Sequence, residues 1–257
     1  MKAETNTVIN EKMSILTEIK KGLDEVLEKV SLVKPTRLTA AFLFMTAWLY
    51  YLTNSNQLGL ITLKYLNDNV LLYKLLWCWI FVFPFYICFL LSFKDIVPWL
   101  FSKIRKGEIT PIIFVFVFLD ILISLLGAKI VTTFGVETNK NAGLQGIDWF
   151  SIYDLIISLI GEQLYFFTCL FLALKTFKRF TNRNSIALLL SVGISFVLFG
   201  LAHLSAYDNN ILQCLLLIGL PFALIQTTAF LMTKNLIVCY AIHLIYDLVC
   251  ILMVVLF

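Results

Sequence analysis

Residues 148–175 read DWFSIYDLIISLIGEQLYFFTCLFLALK, an apolar run with carboxylates set into it. A bilayer-spanning helix needs about 20 predominantly apolar residues, and this run exceeds that length. Asp154, Ser158 and Glu162 recur every four residues, with Tyr165 and Cys169 close to the same line. On a helix that spacing makes one polar stripe. A charged side chain facing lipid costs about 2.5–3.5 kcal/mol on insertion scales, so the stripe is expected to face protein or enclosed water.

The rest of the chain obeys the same solvent. Of its 257 residues 60% are hydrophobic and 14% charged, and the mean hydropathy is +0.91. Soluble domains carry roughly a quarter charged residues. Continuous apolar runs mean spanning helices rather than a barrel, so the fold class is all-α, a polytopic membrane bundle. Seven segments are expected to span: 38–53, 70–93, 110–134, 149–174, 185–203, 211–232 and 236–257, the first of them short. The net charge of +4 reflects loop lysines and arginines and not a nucleic-acid surface. Cys78, Cys88, Cys169, Cys214, Cys239 and Cys250 all fall in apolar segments without CxxC spacing, which suits packing residues.

Residues 1–37 form a polar, charged segment, so no cleavable signal peptide is expected there. Within it Leu16, Ile19, Leu23, Val26, Val30 and Val33 recur at spacings of three and four, the pattern of an amphipathic helix. Such a helix lies on a membrane, on the protein's own loops, or against a partner. Pro35 ends it. The expected division is therefore a cytoplasmic segment over 1–37 and a transmembrane domain over 38–257, with the candidate site in 149–257. Sixteen of the twenty Lys and Arg fall in alternate connections, including Arg105 and Lys106, and Lys140 is among the other four. The positive-inside rule then gives a cytoplasmic N-terminus and an outer C-terminus. No internal repeat is present, and GLQG at 143–146 is read as loop.

Two further segments carry stripes. Ser191, Ser195, Phe199 and His203 repeat every four residues, and His243 and Asp247 are i,i+4 neighbours flanked by Tyr240 and Tyr246. His203 and His243 are the two histidines of the chain. Turned toward one another, the stripes would enclose a wet cavity holding Glu162, His203, His243 and Asp247. A carboxylate in apolar surroundings suits proton abstraction from water, and imidazoles bind metals or stabilise oxyanions. Water, base and electrophilic helper make a hydrolytic site. An inter-helix polar clasp and a proton or ion pathway remain open on residue types alone. Asp120 and Lys129 lie in the third segment, about 14 Å apart along a helix, too far to pair there. Lys129 is expected to snorkel, and Asp120 is read chiefly as a structural group.

The order of the motifs carries a resemblance. Glu162 in GEQLYFF, then FGLAH ending at His203, then HLIYD from His243 to Asp247, resembles the CPBP or Abi family of intramembrane proteases, which includes the CAAX prenyl endopeptidases. That pattern is Glu-Glu-x-x-x-Arg, Phe-x-x-x-His and His-x-x-x-Asn/Asp on successive helices. The resemblance covers about residues 149–257. It implies Glu162 as general base, His203 and His243 as metal ligands or oxyanion donors, and Asp247 beside them. It implies provisional zinc held by Glu162, His203 and His243, and a substrate that is a peptide or protein in the bilayer. In bacterial relatives it is associated with bacteriocin immunity and peptide-signal processing in the cell membrane. Gln163 and Phe167 replace the second glutamate and the arginine. The alternative is a catalytically degenerate adaptor that binds a membrane protein such as a sensor kinase, its N-terminal helix being one route.

Depth sets a condition on any shared site. His203 lies roughly 25 Å from the start of its segment and His243 roughly 10 Å from the start of its own. Both segments start on the same side, so the fifth helix has to begin well below the membrane or tilt strongly.

Overall fold

A computed structural model describes residues 2–54, 57–66, 69–103, 107–139 and 149–256. The 143–146 loop and the basic residues Arg105, Lys106 and Lys140 lie outside them. Among the described residues the only extended pairing is an isolated bridge, Phe101 with Asn235. The elements run α1 (Lys2–Leu32), α2 (Pro35–Asn54), α3 (Gln57–Tyr65), α4 (Val70–Phe93), α5 (Val97–Leu100), α6 (Ile109–Thr133), α7 (Trp149–Phe180) and α8 (Asn184–Ala202). A 3₁₀ turn (Leu204–Tyr207) follows, then α9 (Ile211–Gln213), a π-helical segment (Cys214–Gly219), α10 (Leu220–Thr233) and α11 (Leu236–Leu256). From Ile211 to Thr233 the chain is one continuous rod.

Six helical stretches are long and apolar enough to cross a membrane, α4, α6, α7, α8, the Ile211–Thr233 rod and α11. The chain is an integral membrane protein. The seventh expected span, the first, forms as α2, but Arg37, three threonines between residues 39 and 53 and paired tyrosines dilute its apolar face. It nevertheless runs the height of the bundle. Arg37 meets Asp95 at one end (Nη1–Oδ2 2.8 Å), and Thr53 lines a groove with Ser205 and Asn209 at the other.

α7 is the axis. It packs against α8, α4, α2 and α11, and 67% of its apolar window is buried, against 17% for α6 at the periphery. Its core face is aromatic: Phe166, Phe167 and Phe171 are fully buried with Phe230 of α10. The corner between α10 and α11 is tight because Lys234 takes a left-handed conformation (φ 49°) and Asn235 caps the next helix, its Oδ1 accepting from Ile237 N at 2.8 Å and Val238 N at 3.2 Å. Beside α8 the rod lies so close that a Cβ on Gly219 would stand 2.4 Å from the Phe196 carbonyl oxygen. Small residues at helix contacts allow such approach in membranes.

The amphipathic helix docks the C-terminal half of its apolar face on the protein itself, while Leu16 stays exposed. Leu23, Val26, Val30 and Val33 are buried, and Gly22 sits against the Leu231 carbonyl, where a Cβ would stand 1.9 Å from the oxygen. Trp99 Nε1 donates to Glu25 Oε1 (2.6 Å), and Lys234 Nζ lies 3.2 Å from Glu25 Oε2. Lys175 of α7 donates to the carbonyls of Val30, Ser31 and Val33, satisfying the oxygens a helix C-terminus leaves unpaired. Asn184 of α8 donates to Asp24 (2.8 Å).

That docking meets the depth condition. Gln163 of α7 is bonded to Gln226 of α10, which fixes the relative height of the two helices. Below that bond α7 continues for about 25 Å and α10 for only about 10 Å. α8 starts beside the end of α7, so it begins about 15 Å deeper than α11. α1 occupies the step.

Candidate active site

The chain reaches the site from three helices. Glu162 lies midway along α7. His203 is the residue on which α8 stops (φ −99°, ψ 4°), and the chain then turns through the 3₁₀ segment and left-handed Asp208 and Asn209. His243 and Asp247 lie one turn apart inside α11. All four side chains line one cavity of about 280 Å³, whose other walls come from α6, α7, the π segment and α10.

Glu162 Oε2 stands 3.5 Å from His203 Nε2. The far side of that ring is fixed: His203 Nδ1 is 2.8 Å from the Phe199 carbonyl, which can only accept, so Nδ1 carries a proton. His243 Nε2 is 3.6 Å from Asp247 Oδ2, and its buried Nδ1 has no partner among the described residues. Phe199 and Phe222 stack face to face at 3.9 Å between the imidazoles, with Phe199 4.7 Å from His203 and Phe222 4.5 Å from His243. Phe166 closes the pair edge-on. Two packed rings thus hold the histidines apart and set their planes. A smaller cavity of about 110 Å³ shares Glu162 and His203 and opens toward Leu49 of α2 and Phe81 and Phe85 of α4.

The expected stripes divide. Asp154 lines a separate groove with Tyr73, Lys74 and Trp77, and Ser158 donates to the Leu155 carbonyl. Tyr165 faces Thr46 of α2, and Cys169 is buried in the core. Ser191 donates to the Ala187 carbonyl, Tyr240 donates to the Ile156 carbonyl, and Ser195 is buried. Only Glu162 of the α7 stripe reaches the main cavity, because a four-residue repeat drifts round a 3.6-residue helix. Asp120 does reach it, from α6. Its buried position in an otherwise apolar span was the signal.

Glu162, His203 and His243 do not fit a metal as they are placed. Among the described residues no three His, Cys, Asp or Glu side chains are grouped to hold one ion.

Residues 145–249 match the family model "Type II CAAX prenyl endopeptidase Rce1-like". Over that segment the chain is similar to the CAAX-type intramembrane endopeptidases. The match spans α7 to α11 and contains Glu162, His203, His243 and Asp247. No curated protein and no solved structure matches the chain. The two motif positions that differ are absorbed by packing. Gln163 Nε2 donates to Gln226 Oε1 (2.8 Å), and Phe167 is fully buried among Phe166, Phe171 and Phe230. An acid and its counter-charge are thus replaced by an amide pair and an aromatic contact, with no charge left over.

Proposed function

We propose that the chain hydrolyses a peptide bond of a membrane-associated peptide or protein, with Glu162 as general base. The observation that carries this reading is the convergence of Glu162, His203 and His243, all inside the family-matched segment, on one cavity. Glu162 takes a proton from a water held beside it, and the water oxygen attacks the substrate carbonyl carbon. His203, its Nδ1 proton spent on the Phe199 carbonyl, faces Glu162 with Nε2 and in its imidazolium form donates from there to the developing oxyanion. His243 lies on the other side of the aromatic pair as a second donor, with Asp247 Oδ2 3.6 Å from its Nε2. The carbonyl re-forms, the C–N bond breaks, and the proton held by Glu162 passes to the leaving amine. A carboxylic acid and an amine result, and one water is consumed.

The basic connections support a cytoplasmic N-terminus in a bacterial cell membrane. Arg37, Lys175 and Lys234 meet at the end of the bundle where α1 docks. Bacteriocin immunity or peptide-signal processing fits a protease of this class. The adaptor alternative has less of α1 to work with, since Leu23, Val26, Val30 and Val33 are already covered by the protein's own helices while Leu16 stays exposed. The test is cleavage of peptide libraries by the purified protein in nanodiscs, read by mass spectrometry. Cleavage that disappears in Glu162→Gln, in a variant that unfolds at the wild-type temperature, is the expected result. Cleavage retained in Glu162→Gln overturns the assignment.

A further inference from the structure

The cavity holds an ionisable side chain that the family match does not reach. Asp120 lies on α6, outside residues 145–249. It is 2% exposed, lines the cavity with Tyr246, Asp247 and Cys250, and forms no hydrogen bond or ion pair among the described residues. The other acids differ: Glu162 faces His203 and Asp247 faces His243. The nearby Tyr246 hydroxyl is committed to Ser124 Oγ at 2.8 Å.

Carboxyl groups outnumber basic groups in the cavity. Three carboxylates and two imidazoles line it, and none of its lining residues is Lys or Arg. The motif position that carries arginine is Phe167, buried in the core. The remaining walls are Leu155, Leu159, Leu217, Ile218 and other apolar groups, which screen charge poorly. A buried carboxylate with open acceptor sites facing a void is an unfilled half of an interaction. The space of about 280 Å³ equals about nine waters, enough for an extended alkylammonium arm with a few waters left over.

We infer that Asp120 and Asp247 form a subsite for a cationic group of the substrate, a primary ammonium or a guanidinium, next to the bond attacked at Glu162. That this group belongs to a substrate rests on the hydrolase reading. The cavity's preference for cations does not. Asp120 acts here as a specificity residue and takes no part in the water-activating step.

Cys250 lines the same cavity and serves as a reporter. The full-length protein in nanodiscs is treated with cationic 2-aminoethyl or anionic 2-sulfonatoethyl methanethiosulfonate, and modification at Cys250 is followed by mass spectrometry. Relative to a free thiol, the wild-type protein is expected to favour the cation by at least tenfold. Asp120→Asn is expected to bring that preference within threefold, and Asp120→Glu to restore it. A second measurement needs no substitution: n-butylammonium, and not n-butanol, slows modification of wild-type Cys250 by uncharged iodoacetamide. A preference unchanged in Asp120→Asn, equal protection by amine and alcohol, or a Cys250 that reacts only after denaturation overturns the subsite. Loss of Glu162-dependent cleavage with the cation preference intact removes the hydrolase reading and leaves the subsite standing. Cleavage intact with no cation preference does the reverse.

Discussion

Glu25 and Glu162 each sit near a basic partner, and their surroundings differ. Glu25, under the bundle, has one oxygen 2.6 Å from Trp99 Nε1 and the other 3.2 Å from Lys234 Nζ. Both partners are fixed by the corner where Asn235 caps α11. Among the described residues Glu162 has a single partner, His203 Nε2 at 3.5 Å, and it otherwise faces cavities on two sides. A carboxylate whose oxygens are already engaged can hold helices together. One with open acceptor sites beside a cavity retains the capacity to bind and deprotonate water. The contrast separates a structural clasp from a reactive position more sharply than residue type or depth does.

The contrast breaks most visibly at Glu162. Glu162→Gln is expected to lower peptide cleavage by at least about 100-fold while the unfolding temperature barely moves, because general-base catalysis contributes about 10²–10⁴-fold. His203→Ala is expected to lower cleavage by a comparable factor, about 10²-fold, with little change in substrate affinity, as loss of a transition-state donor does. Steady-state kinetics on a single fluorogenic peptide measures both. The buried amide pair extends the comparison. Gln163→Leu leaves Gln226 unpaired and is expected to cost about 1 kcal/mol, whereas the double Leu variant recovers most of it. Denaturation in mixed micelles, arranged as a double-mutant cycle, checks this.

At the clasp the signs reverse. Glu25→Gln is expected to leave cleavage unchanged and to cost about 0.5–1 kcal/mol, since the pair is partly exposed. Burial alone would raise the Glu25 carboxyl, but the Trp99 hydrogen bond and the Lys234 charge outweigh it and hold the group below its ordinary value of 4.5. A group lowered on folding stabilises above its unfolded pKa, and that stability is lost as pH falls through the folded value. Acidification below about pH 4.5 is thus expected to loosen α1, read as a shift in Trp99 fluorescence. Glu25→Gln removes that shift, and a shift that persists in the variant breaks the assignment.

Periodicity made most of this legible. Four-residue spacing marked Glu162 on α7, His203 on α8 and the His243–Asp247 pair on α11, and apolar length marked the spans. The same spacing overreached at Asp154 and Ser195, because a four-residue stripe winds around the helix and only one stretch meets the cavity. Asp120 stood out as a buried acid, but nothing along α6 says which helices face it. α2 marks the limit of composition. Its hydropathy is diluted, yet its contacts with α4 and α7 carry it through the bundle. The difference in depth between the histidines was visible as a conflict, and the step filled by α1, which resolves it, depends on contacts far apart in sequence.

The π-helical segment has a consequence for insertions and deletions. Its wider turn accommodates an additional residue relative to a regular helix. Gln213, just before it, exchanges hydrogen bonds with the Asn139 backbone, whereas Phe222, just after it, stacks on Phe199. Removing one residue between 214 and 219 would regularise the rod and keep the two anchors close to register, because the residue lost is the one the wider turn takes up, whereas removing one from the regular turns of α10 would rotate the helix beyond it by about 100°. A one-codon deletion is thus expected to be tolerated in the π segment and not in α10, whereas a side chain added at Gly219 would collide with the Phe196 carbonyl.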